Sequence, residues 1–110
     1  MRSIVSGLGI CVVATSILSA QDATMTKGQQ VYADQKCGLC HSIGDKGNKK
    51  GPLDGVGSKL SAADLRLWMT DTKTMTEKTK STRKPEMKSY NLPKGDLDAL
   101  VAYMQSLKKG

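Results

Sequence analysis

The chain has 110 residues, 17 Lys and Arg against 10 Asp and Glu, one His, one Trp, three Tyr and no Phe. That length allows one domain, and so little bulky apolar material makes a self-sufficient core marginal. The formal charge of +7 favours solubility and attraction to acidic partners, while nothing in the sequence carries a nucleic-acid-binding signature.

The first twenty residues read as a leader and not as part of the domain. Met1-Arg2-Ser3 is a short positive start, Ile4 to Leu18 is a run of apolar and small residues, and Ser19-Ala20 ends it before the polar Gln21-Asp22. This is the order of a secretory signal peptide cleaved after Ala20. The apolar run of about 15 residues is short against the roughly 20 that span a bilayer. Leu18, third before the cut, is larger than ideal. The domain then covers residues 21–110, periplasmic or otherwise exported, without a membrane span once the leader is gone. Losing the leader removes Cys11 and Arg2, leaving Cys37 and Cys40 and a net charge of +6. Two cysteines this close cannot staple a fold, even in an oxidising compartment. The composition therefore asks for a prosthetic group.

Residues 24–36 suggest a first helix, capped by Thr24 or Thr26, with Val31 and Tyr32 on one side. Residues 42–59 read as loop, broken by Gly44, Gly47, Gly51, Gly55 and Gly57. A second helix begins at Ser61, where Ser61-Ala-Ala-Asp64 resembles a capping box. Leu65, Trp68 and Met69 form its apolar stripe, which fades after Asp71. Residues 72–84, rich in Thr and Lys, read as a mobile surface loop. The last helix carries Leu97, Leu100, Val101, Met104 and Leu107 at helical spacing. Asp96 and Asp98 stand near its start and Lys108 and Lys109 at its end, as the helix dipole prefers. No segment reads as a strand, so the expected fold class is all-α.

Between the first helix and the loop stands Cys37-Gly38-Leu39-Cys40-His41, a Cys-x-x-Cys-His motif that signals c-type haem attachment. Two thiols at this spacing reach one porphyrin edge and form thioethers with its vinyl groups, and the adjacent imidazole supplies an axial ligand. A thioredoxin-like pair would need a βαβ setting, and a structural zinc site needs four ligands. With one histidine and two remaining cysteines, the chain meets neither requirement.

Gly28, Tyr32, the Cys37–His41 motif, Gly51-Pro52-x-x-Gly55 and Leu100-Val-Ala-Tyr103-x-x-x-Leu107 together resemble the small bacterial class I (monohaem) cytochrome c family. The resemblance covers most of the domain. It implies a class I cytochrome c fold, three main helices wrapped around one covalent haem c. In that fold the first and last helices cross with a glycine against an aromatic, roles that Gly28 and Tyr103 fit. It also implies that the carbonyl of Pro52 accepts the other N–H of His41.

The single histidine rules out bis-His ligation within one chain, which leaves methionine as the sixth ligand. Met69 and Met104 belong to core stripes, and Met25 precedes the first helix. Met75 and Met87 remain, both in expected loop. Met87-x-x-Tyr90-x-Leu92 resembles the family's ligand loop, although Lys88 stands where a proline is usual. Trp68 and Tyr90 are candidate haem contacts.

A closed His/Met site suits single-electron transfer, and makes the chain an electron carrier and not an enzyme. Lys73, Lys78, Lys80, Arg83, Lys84, Lys88 and Lys94 outnumber Glu77 and Glu86 between residues 73 and 94. They suit an acidic redox protein, or a membrane oxidase or dehydrogenase complex, as partner of a monomeric carrier. The competing class is a haem enzyme or sensor with an open iron. It would need a distal acid–base residue, for which only Arg66 and Arg83 offer themselves.

Overall fold

A computed structural model describes Gly7, Gly9 and residues 15–109, with only the backbone placed for residues 15–19. Most of residues 1–20, Cys11 included, lie outside the described residues. The order is α1 (Thr15–Asp34), a 3₁₀ turn (Cys37–Leu39), β1 (Ser42–Ile43), β2 (Lys46–Gly47), α2 (Val56–Lys59), α3 (Ala62–Thr70), α4 (Thr72–Thr79) and α5 (Lys94–Ser106). The protein is mostly helical, as the sequence leads one to expect.

Helix α1 starts nine residues earlier than expected. The Thr24 hydroxyl donates to the Ala20 carbonyl (3.0 Å), the back-bond of a residue inside a helix and not of a cap. Met25 accordingly sits within α1. The helix stops before Lys36, which takes the left-handed conformation at φ 58°. A two-residue hairpin, Ser42 opposite Gly47 and Ile43 opposite Lys46, lies where only loop was expected.

Helix α3 begins where the capping pattern places it: Ser61 Oγ accepts from the Asp64 N–H at 3.1 Å. Helix α4 replaces the expected mobile loop. Asp71 caps it, accepting from the Thr74 N–H and, at 2.8 Å, from the Thr74 hydroxyl. Thr72 and Met75 are the residues α4 buries. One methionine per two turns is too thin a stripe to stand out as hydrophobic periodicity. Helix α5 ends at Ser106, so Lys108 and Lys109 lie beyond its last turn. They belong instead to a tail tied to α2: Gly57 N–H donates to Leu107 O (2.9 Å) and Lys109 N–H to Ser58 Oγ (3.1 Å).

The core consists of Val31 from α1, Leu65 and Met69 from α3, and Leu100, Val101 and Met104 from α5, each at most 6% exposed. Helices α1 and α5 pack directly on each other. A Cβ on Gly28 would lie 2.6 Å from the Cβ of Tyr103 and closer still to the Ala99 carbonyl. The Tyr103 ring stands edge-on to Tyr32, 6.0 Å between centroids and 86° between planes. The glycine–aromatic crossing implied by the resemblance is therefore present. Because backbone and not a flexible tip blocks the space, Gly28→Ala must push the helices apart. We expect it to destabilise the fold by about 1–3 kcal/mol, more than the ~1 kcal/mol that alanine gains in helix propensity. The midpoint of denaturant unfolding measures this, and an unchanged or raised midpoint would contradict it.

Candidate functional site

The 3₁₀ turn follows directly from the end of α1. Cys40 N–H and His41 N–H both donate to the Cys37 carbonyl, at 3.1 and 3.0 Å. This tight turn gathers Cys37, Cys40 and His41 on one wall of a cavity of about 630 Å³, which Leu65, Met69, Leu100 and Met104 line from the core side. Trp68, Met87 and Tyr90 also line it. Six of the seven residues singled out in the sequence thus meet around one mainly apolar space.

Pro52 does not line it, and its carbonyl is not the acceptor for His41. The Nδ1–H of His41 donates to the carbonyl of Gly51 at 3.0 Å. The reason is the alternation of an extended segment. Ser42 and Pro52 form a parallel bridge in which Ser42 N–H donates to Gly51 O (3.1 Å) and Leu53 N–H to Ser42 O (2.8 Å). The polar groups of the two neighbours face the motif, and the Pro52 carbonyl faces away from it.

With Nδ1 carrying the proton, Nε2 keeps its lone pair for a metal. Burial pushes the His41 pKa down, the nearby Arg83 charge acts in the same direction, and the Gly51 hydrogen bond opposes them. Burial also raises the Cys37 thiol, assisted by the neighbouring Cys40, against its own backbone hydrogen bond. Both cysteines are free. The wall thus offers a Cys37 thiol and a His41 imidazole that burial holds in their neutral forms.

Two features of the site had no visible signal in the sequence. Arg83 donates from its guanidinium to the Cys40 carbonyl, tying the segment after α4 to the cysteine motif. The Tyr32 hydroxyl is buried without a hydrogen-bond partner among the described residues, and Tyr32 lines the cavity. Burial first, then the surrounding Cys37, Tyr103 and Asp54, push its pKa up to about 12. It is a neutral donor, and a buried donor left unsatisfied normally signals an absent partner.

The two candidate methionines separate clearly. Met75 is 2% exposed and packed under α4, away from the cavity, whereas Met87 is half-buried and lines it. Tyr90, three residues on, donates its N–H to the Met69 carbonyl at 2.7 Å, and burial raises its phenol pKa. Lys88 lies over the Tyr90 ring, 5.3 Å from its centroid. Lys36, Lys59, Arg83 and Lys88 also line the cavity, with Glu86 the one acid. Among the described residues no three His, Cys, Asp or Glu side chains converge as a metal cluster. No helix among them is long and apolar enough to cross a membrane.

The family model for cytochrome c matches residues 25–108. No curated protein and no solved structure gives a significant match.

Proposed function

Because the chain belongs to the cytochrome c family, and is on that ground a haem-binding electron carrier, we propose that it is an exported carrier of single electrons whose haem iron is held between His41 and Met87. Family membership implies covalently attached haem c, and Cys37 and Cys40 are present to hold it. The residues fit such a group. Two thiols and one imidazole share a wall, the cavity is large and apolar, and Tyr32, whose buried hydroxyl has no partner among the described residues, is one of its lining residues. The observation that carries the reading is that Cys37, Cys40, His41 and Met87 all line one cavity.

When bound, the haem supplies an iron that gains or loses one electron. The protein's residues do the rest. The Gly51 carbonyl fixes the His41 ring, which holds Nε2 in place for the iron. The thioether of Met87 would supply the second protein ligand and would favour the reduced state. Leu65, Met69, Leu100 and Met104 exclude water, so little rearranges when the charge changes. The leader-like residues 1–20 support export, and covalent attachment keeps the cofactor from being lost outside the cell.

An optical spectrum of the holoprotein, oxidised and reduced, tests the ligation. We expect low-spin bands, a weak near-infrared methionine–iron band and no shift on adding carbon monoxide. A high-spin spectrum that shifts with carbon monoxide would mean an open iron and a sensor or enzyme.

Lys36, Lys59, Arg83 and Lys88 place positive charge at the cavity, the exit for the electron. They would steer an acidic redox partner into a brief encounter. Raising the ionic strength from about 10 mM to about 150 mM shortens the screening length from about 30 to about 8 Å. We expect electron transfer to such a partner to slow by about tenfold over this range, measured by stopped flow. A rate indifferent to salt would remove steering from the proposal.

A further inference from the structure

From the hydrogen bonds behind Met87, we infer that the Ser89–Thr72 pair is the positioning device that keeps Met87 on the iron; this rests on the ligand reading above. Residues 81–93 form neither helix nor strand. Such a segment has no backbone ladder of its own to hold a side chain in register. Among the described residues, 84–92 are hydrogen-bonded to the rest of the protein at two places only, Ser89 and Tyr90. Both stand within three residues of Met87.

The Tyr90 tie is backbone to backbone. The Ser89 tie is made by a side chain, and it is double. Thr72 N–H donates to Ser89 Oγ at 3.0 Å, and the Ser89 hydroxyl donates to Thr72 Oγ1 at 3.0 Å. The Thr72 hydroxyl passes its own proton to the Trp68 carbonyl at 2.9 Å. Thr72 is 3% exposed and opens α4 directly behind Asp71, while Trp68 lines the cavity. The ligand segment is therefore fastened, through the exposed Ser89 and the buried Thr72, to the helix that bears Trp68 on the cavity wall. Removing the Ser89 hydroxyl leaves the buried Thr72 N–H without its acceptor.

A carrier needs its sixth ligand to stay bound in both oxidation states. Without the tie, the segment samples positions in which Met87 leaves the iron, and an external ligand takes its place. The apparent affinity for that ligand rises in proportion to the open fraction. The test is imidazole binding to the oxidised holoprotein, read beside the near-infrared methionine–iron band and the global unfolding midpoint. For Ser89→Ala, which loses both bonds of the tie, we expect imidazole to bind at least about three- to tenfold more tightly, the lower bound being the effect of one ordinary hydrogen bond. Thr72→Val should do the same, and Thr72→Ser, which keeps the hydroxyl, should stay near wild type. If Ser89→Ala and Thr72→Val lower the unfolding midpoint but leave imidazole affinity unchanged, the pair is merely structural and the inference is overturned. If Met87→Ala retains the near-infrared band, the ligand reading itself fails and the inference falls with it.

Discussion

Replacing Cys37 and Cys40 together with serine is expected to yield a chain with no covalently bound haem and no stable fold. The chemical half follows from losing both thioether-forming sulfurs. The structural half follows from the size of the space they guard. At about 24 cal/mol per Å³ of empty cavity, the roughly 630 Å³ beside the motif would cost on the order of 15 kcal/mol. Its mouth is open to water, so this is an upper figure, yet it equals the whole stability of an ordinary domain. The remaining core cannot offset it. Six buried residues form its main cluster, none aromatic, in a chain with no Phe. Haem that survives acid–acetone extraction would be absent from the variant, and helical circular dichroism would be largely lost. A chain that keeps native helix content without haem would show that the cofactor is a passenger and not part of the core. Either single substitution should be milder, because one thioether still tethers the ring.

That dependence on a cofactor was legible in the sequence, because both of its causes are local or compositional. Cys37, Cys40 and His41 stand within five residues, so their spacing needs no knowledge of the fold. The Gly28–Tyr103 crossing is different. The two residues lie 75 positions apart, and only the family resemblance joined them. The elements missed were those whose reason lies in tertiary contacts. Helix α4 is made by the Asp71 cap and by burying Met75 under one face; its composition alone reads as a solvated loop. The hairpin at Ser42–Gly47 is two residues wide, too short for any alternation to register. The acceptor for His41 fell one residue from the expected one because strand-like alternation decides which carbonyl faces inward. The Ser89–Thr72 relay spans 17 residues between two small polar side chains of types that usually face water. Neither residue carries a signal until the chain has folded.

The second large effect separates the two methionines that the sequence left in contention. Met75 and Met87 should fail in opposite ways. Met75→Ala deletes a side chain 2% exposed that does not line the haem cavity, and should cost about 2–5 kcal/mol of stability. Its near-infrared methionine–iron band should persist. Met87→Ala removes a half-buried thioether that faces the cavity, so the stability lost should be smaller. Its spectrum should change completely: no methionine–iron band, a shift on adding carbon monoxide, and a lower reduction potential, since thioether ligation is what raises it. Lys88 cannot substitute at once, because its ammonium rests over the Tyr90 ring and must first leave that face and lose a proton. The converse result, a band abolished by Met75→Ala and untouched by Met87→Ala, would require α4 to unwind when haem is attached. Helix α4 would then be the ligand-bearing segment, and the Met87 loop only a cover over the haem.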